Sequence, residues 1–257
     1  MKYILAFVRF SLLVICTLAF LIVLIFVNAV KGASIQRALR YRKSCVRVML
    51  KIVGIKIIPH GRFEQINPAI YISNHRCISD PLIALKYFEC FPIGKAEIDK
   101  YPLIGFAARL TGILFVQRDQ KESRNLVKEG IRTALQKEIN IFLCPEGTTN
   151  LAQTTKEFKL GSFDVAAELK VPMVPMALVY NDPSSDFWLP GDSLLLHFVR
   201  QFGKWETRVD LYFPEKSFIN SDPIRLMNEC KSWIDSKLIS IKVPDKIADL
   251  AVYNLKV

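Results

Sequence analysis

From Gly54 onward, short apolar runs alternate with segments of helical period, and that alternation leaves few architectures open. The runs Ile55–Ile58, Ala69–Ser73, Pro92–Lys95, Ile113–Gln117, Ile139–Cys144 and Met173–Val179 read as strands. Between them Pro81–Phe88, Leu103–Leu110, Lys121–Gln136 and Leu160–Leu169 read as helices. In the third of these helices Leu126, Val127, Ile131, Ala134 and Leu135 can face a sheet, while Lys121, Glu122, Lys128 and Glu129 stay in water. Strands alternating with helices predict an α/β fold, a largely parallel central sheet flanked by helices. Beyond it, Asn181 to Gly191 reads as a loop with exposed aromatics, Phe187 and Trp188. Leu194–Val199 and Arg208–Phe213 read as further strands, and Ser221 or Asp222 caps a helix running towards Leu238. Residues 242–257 carry no functional signal.

Charge divides the chain. The 257 residues have a net charge of +11, yet residues 1–63 hold eleven Lys or Arg and no Asp or Glu. Residues 64–257 are neutral overall, with 24 of each sign. A nucleic-acid enzyme carries its basic stripe on the folded body, so no nucleic-acid partner is expected. Phe10 to Val27 is an uncharged, mostly apolar run close to the ~20 residues that cross a hydrocarbon core. Lys31, Arg37, Arg40, Arg42, Lys43, Arg47 and Lys51 follow it, and translocating them would oppose the positive-inside bias. An uncleaved membrane anchor is expected, with the catalytic domain on the cytoplasmic side, rather than a signal peptide cut near Ala29.

The segment after the anchor has two faces. Ile35, Ala38, Leu39, Val46, Met49, Leu50 and Val53 share an apolar one, and Arg37, Arg40, Lys43, Arg47 and Lys51 form a basic stripe. A basic amphipathic helix lying in the membrane interface is expected, each cation worth about 1 kcal/mol near anionic headgroups. Residues 1–53 are accordingly set apart as anchor and interfacial helix, and 54–257 as the main domain. Cys16, Cys45, Cys77, Cys90, Cys144 and Cys230 form no CxxC pair or disulfide framework, which suits reduced thiols facing the cytosol.

Chemistry concentrates where strands end. Asn74-His75-Arg76-Cys77-Ile78-Ser79-Asp80-Pro81 lies between a strand and a helix. The five-residue step lets Asp80 bond one imidazole nitrogen of His75 and leave the other free as a base. His75 is the only histidine beside a correctly spaced carboxylate; His60 and His197 are expected to have none. Three more blocks follow: Gly94-Lys95-Ala96-Glu97 with Gly112 to Arg118, then Phe142-Leu143-Cys144-Pro145-Glu146-Gly147-Thr148-Thr149, then Val171-Pro172-Met173-Val174-Pro175. The first three can converge beyond the carboxyl ends of a parallel sheet.

In order and content these four blocks resemble the lysophospholipid acyltransferase family, whose best-known members are 1-acylglycerol-3-phosphate O-acyltransferases. The resemblance covers roughly residues 55–180. It rests on His75 and Asp80, on Gly112, Phe115 and Arg118, on Pro145 to Thr148, and on Val171, Pro172 and Pro175. It implies that His75 and Asp80 are catalytic and that Glu146, Gly147 and Thr148 help bind the acceptor. Arg118 and Lys95 suit a phosphate. Thr149 stands where phosphatidate-forming members usually carry an Arg, which loosens the expected grip on a phosphomonoester.

The implied function is transfer of a fatty acyl group from acyl-CoA or acyl carrier protein to the hydroxyl of a lysophospholipid, with no cofactor and no metal. The implied partners are membrane lipids and the acyl thioester donor. Three other readings compete. One is an acyltransferase for a non-phosphatidate lysolipid, for example an amino-acid-headed one, and another is a non-catalytic lipid-binding module. The third is a serine hydrolase using Ser193, since Gly191-Asp192-Ser193-Leu194 spells a lipid-hydrolase signature. That serine comes late in the chain, with no Asp-x-x-His and no Gly-x-Ser-x-Gly elbow.

Overall fold

Two long helices lead into the sheet. In the computed structural model, which describes residues 1–62, 64–117 and 120–239, α1 spans Lys2–Lys31 and α2 spans Ile35–Ile52. Gly32 at φ 75° ends the first, and the Ser34 hydroxyl opens the second by accepting the Arg37 N–H. By length and composition α1 could cross a membrane, and most of its large apolar side chains are exposed. It is not a free-standing rod, because it packs on α2 and on the body behind it.

The body contains β1 (Ile55–His60), β2 (Ile70–Ser73), α3 (Asp80–Tyr87), β3 (Cys90–Lys95), α4 (Pro102–Thr111) and β4 (Leu114–Val116). It continues with α5 (Lys121–Gln136), β5 (Asn140–Leu143), α6 (Gly161–Leu169), β6 (Met173–Tyr180), α7 (Pro183–Asp186), α8 (Leu194–Phe202), β7 (Thr207–Tyr212) and α9 (Pro223–Leu238). The seven-stranded sheet runs β1-β7-β6-β2-β5-β3-β4. From β6 to β4 every pairing is parallel; β7 runs antiparallel to β6, and β1 follows β7. All residues of β2 and β6 are buried, as central strands covered on both faces must be. Alternation along β2 sends Tyr71 into one core, with Phe88, Phe142 and Tyr180, and sends Ile70 and Ile72 into the other, with Phe163 and Ile234.

Four expectations are corrected here. Leu194–Val199 belongs to helix α8 and is not a strand. A short apolar run has no diagnostic period; the Ser193 side chain caps it through the Leu196 N–H, and His197, Gln201 and Phe202 form its buried side. Leu126 is 73 % exposed and does not face the sheet, whereas Ile131, Ala134 and Leu135 do. Phe187 is buried against the Tyr180 ring and lies under the Arg76 guanidinium, so the loop before α8 is packed rather than splayed outward.

The fourth correction concerns α2. Its apolar face is in the protein, not in a membrane interface: Val46, Leu50 and Val53 join the core on one side of the sheet, and Leu39 joins the other. Residues 35–53 therefore share the hydrophobic core of the domain from which the expected division at residue 53 separates them. Arg42 is buried there and donates to the carbonyls of Thr111, Gly112 and Cys90. What α2 leaves in solvent is Arg40, Arg47 and Lys51, together with Gln36, Ser44 and Val48.

Candidate active site

Adjacent parallel strands bring the first and third blocks together. Because β2 and β5 are neighbours and point the same way, the turn after Ser73 and the turn after Leu143 emerge side by side. Asn74 fixes the first turn to β6: its buried side-chain amide donates to the Leu178 carbonyl and accepts the Leu178 N–H, both at 2.8 Å. The chain then reverses tightly and enters α3, with Pro81 in the first turn.

Within that reversal the imidazole Nδ1 of His75 lies 2.8 Å from Asp80 Oδ2. The same carboxylate oxygen accepts the main-chain N–H groups of Arg76 at 2.5 Å and Cys77 at 2.8 Å. Its other oxygen accepts from the Tyr180 hydroxyl and from the Cys77 thiol. Asp80 is fully buried. Burial alone would push its carboxyl upward, but the His75 hydrogen bond and charge, the Tyr180 hydroxyl and the Cys77 N–H hold it below the ordinary carboxylate range. An ionised Asp80 can only accept, which makes Nδ1 the protonated nitrogen of His75. Nε2 has no hydrogen bond to any described residue, and the side chain stays 20 % exposed.

Glu146 reaches the same turn from β5. One carboxylate oxygen accepts the His75 N–H at 2.9 Å, and the other accepts the Lys156 N–H at 2.8 Å. The His75 carbonyl in turn accepts the Asn150 N–H at 2.9 Å. Burial raises the Glu146 carboxyl above its usual range, with the Arg76 charge opposing. Arg76, itself buried, donates to the carbonyls of Asn150 and Gln153 and so holds the loop after Glu146.

Gly147 adopts φ 71°, a left-handed conformation that suits glycine and turns the chain outward. Thr148 is exposed and Thr149 half-buried. Their main-chain N–H groups have no partner among the described residues, whereas those of His75, Arg76, Cys77, Gly147 and Asn150 are all engaged.

The second block contributes less directly. Lys95 ends β3 with its ammonium in solvent, 3.1 Å from Glu97. Gly112 closes α4 at φ 76°, where a Cβ would come within 2.1 Å of the Phe91 ring, so only glycine fits. Arg118 lies outside the described residues, as do residues 242–257. In the fourth block the Pro172 carbonyl accepts the Ile70 N–H and seats β6 beside β2.

Residues that sequence spacing did not single out surround the turn. Tyr180 ends an apolar strand, and a hydroxyl at that place was the available signal. On α8, Gln201 donates to Cys77 Sγ and Ser79 Oγ, and His197 Nε2 faces the Ile78 N–H at 3.4 Å. His60 and His197 also have carboxylate neighbours, contrary to expectation. Parallel pairing of β1 and β7 puts Asp210 2.6 Å from His60, and Asp192 is 3.8 Å from His197. Neither pair resembles the first: His60 stacks on Tyr212 away from the other blocks, and His197 is fully buried with both nitrogens facing partners. Ser193 serves as the α8 cap and has no hydrogen bond to an imidazole.

Residues 50–179 match the family model described as Acyltransferase, and the blocks just located fall inside that match. The chain belongs to the acyltransferase family. The human 1-acyl-sn-glycerol-3-phosphate acyltransferase alpha is 29% identical over 157 residues, 59% of this chain and 55% of that protein. The lyso-ornithine lipid O-acyltransferase of Rhizobium meliloti is 28% identical over 137 residues, covering 53% and 47%. The chain spans about half the length of the curated relatives it matches. The crystal structure of the 1-acyl-sn-glycerophosphate acyltransferase PlsC from Thermotoga maritima superposes with a TM-score of 0.62 at 16% identity, over 90% of this chain and 97% of that one. The acyltransferase chain thus has the PlsC-like fold.

Proposed function

We propose that this acyltransferase moves a fatty acyl group from an acyl thioester, acyl-CoA or acyl carrier protein, to the free hydroxyl of a lysolipid at a membrane surface. The observation that carries this reading is the buried Asp80 carboxylate 2.8 Å from His75 Nδ1, with Nε2 left open. Nε2 takes the hydroxyl proton as the oxygen attacks the thioester carbonyl and the new C–O bond forms. The tetrahedral intermediate then collapses, the C–S bond breaks, and the imidazolium protonates the departing thiolate. Asp80 stays ionised and favours the imidazolium, and such proton transfer contributes typically ~10²–10⁴-fold. The unpartnered N–H groups of Thr148 and Thr149 suit the oxyanion of that intermediate. Membrane association through α1, with the body on the cytoplasmic side, is supported by its exposed apolar face and by the cations that follow it.

The test uses purified protein in micelles, acyl-CoA or acyl carrier protein, and a panel of lysolipids, with acyl transfer followed by mass spectrometry. His75→Ala should abolish transfer while leaving the protein folded, and Asp80→Asn, which keeps shape but loses charge, should be milder. Near-normal turnover in His75→Ala sinks the mechanism.

A second reading of the acceptor is favoured by Thr149. It cannot offer the bidentate, permanently charged grip that an Arg gives a phosphomonoester. Relatives named for lysophosphatidate-type and for ornithine-headed acceptors match at similar identity. A lysolipid with a larger or less acidic headgroup fits this site at least as well as lysophosphatidate.

A further inference from the structure

Glu146 lies in the block that the resemblance assigns to acceptor binding, yet its carboxylate faces the wrong way for that task. The residue is 3 % exposed. Both oxygens are committed inward, to the His75 N–H at 2.9 Å and the Lys156 N–H at 2.8 Å. Beside it sits the buried guanidinium of Arg76. An acidic headgroup would also be repelled by a carboxylate, whereas a main-chain N–H is attracted to one.

His75 is held at three points by two strands. Asp80, following β2, orients the ring, and Glu146, following β5, takes the main-chain N–H of the same residue. Asn150 donates to its carbonyl. Counting onward, the N–H groups of residues 75, 76 and 77 all end on these two carboxylates. The ring orientation that Asp80 sets is useful only if the Cα of His75 is fixed, and Glu146 fixes it. We propose that Glu146 is a positioning residue for His75 and does not contact the acceptor. The proposal rests on the acyl-transfer reading of His75 and specifies what the third block does within it.

The two conservative variants separate the roles. Glu146→Asp keeps the charge but is one methylene too short to reach both N–H groups. Glu146→Gln keeps the length and one acceptor oxygen for His75, and turns a donor towards the Lys156 N–H. In full-length protein in micelles, kcat for acyl transfer should fall on the order of 10²-fold in Glu146→Asp, since a misplacement of about 1 Å costs that much. Glu146→Gln should fall between it and wild type. The acceptor KM should stay within about twofold in both, equally for lysophosphatidate and lyso-ornithine lipid, because nothing that binds the ground state has been removed.

A second readout does not depend on turnover. With three histidines in the chain, ¹⁵N-histidine labelling gives a resonance for each, and His60 reports whether the variant is folded. The Nδ1–H signal of His75 should shift in Glu146→Asp while the Nε2 signal of His60, the nitrogen that meets Asp210, stays in place. If the shortened variant fails to fold, Glu146→Gln is read by the same two measures. A raised acceptor KM at unchanged kcat overturns the proposal. So does a loss that depends on the headgroup, or an unmoved His75 signal in a folded variant. Should wild type transfer acyl groups to no lysolipid, the acyl-transfer reading fails, and the resonance arm still decides whether Glu146 positions His75.

Discussion

The Asp80 side chain gathers more of the turn's hydrogen bonds than any neighbouring side chain among the described residues, and each has a separate consequence. The contact with His75 fixes a tautomer, the two main-chain contacts shape the turn, and Tyr180 anchors the carboxylate from the end of β6. The proposed acceptor side is organised differently, with open loop residues in place of a buried network. Thr149 is half-buried in the outward turn after Gly147, where an arginine would add a fixed charge. In Thr149→Arg the ratio of kcat/KM for lysophosphatidate over lyso-ornithine lipid should rise tenfold or more, about 1.4 kcal/mol of transition-state discrimination. An unchanged ratio would mean that position 149 does not face the headgroup.

At the scale of elements, α8 ties the back of the His75–Asp80 turn to the rest of the fold. His197 and Gln201 are its fully buried polar members. Burial first, and then the Arg200 charge, lower the pKa of His197 from 6.5 to about 4. The folded state therefore keeps the ring neutral while an unfolded chain protonates it below pH 6.5. Its contribution is full above pH 6.5 and is lost as pH falls towards about 4, a difference on the order of 3 kcal/mol at 1.36 kcal/mol per unit. Asp186 on α7 runs the other way, since burial raises its pKa from 3.8 to about 6, so its ionisation weakens the fold as pH rises through that window. The histidine is isolated by difference: the gap in melting temperature between wild type and His197→Gln should shrink as pH falls from 7 to 4. A gap that stays constant would show that His197 does not titrate with unfolding.

At the scale of the whole molecule, α1 is both a candidate anchor and a structural part of the body. Arg9 on its inner side donates to the carbonyls of Phe202, Lys204 and Trp205, which ties the helix to the end of α8. The basic stripe of α2 acts separately, because its apolar face is already buried in the core. Arg40, Arg47 and Lys51 stand exposed, and Lys86 of α3 lies close enough to Arg47 and Lys51 for their charges to lower its pKa, after burial. Removing residues 1–30 should leave a chain that floats with anionic vesicles at low salt and is released as salt rises, since exposed attraction is screened over ~8 Å at physiological ionic strength. Salt-insensitive flotation of that shortened chain would show that the cations are not what holds it.

What the sequence alone determined lies within short stretches of chain. Hydrophobic alternation set the α/β class and most element positions, because a parallel strand buried on both faces needs a near-continuous apolar run. The five-residue step from His75 to Asp80 set their hydrogen bond, because a local turn has few ways to close. Only the tertiary structure decided which face of α2 meets the core, that an apolar run after Ser193 coils rather than extends, and that His60 finds Asp210. It alone turned Glu146 inward to the His75 N–H, across 71 positions. Each of these depends on which strands lie side by side, and neighbouring in a sheet is set by crossover connections and packing rather than by any local pattern.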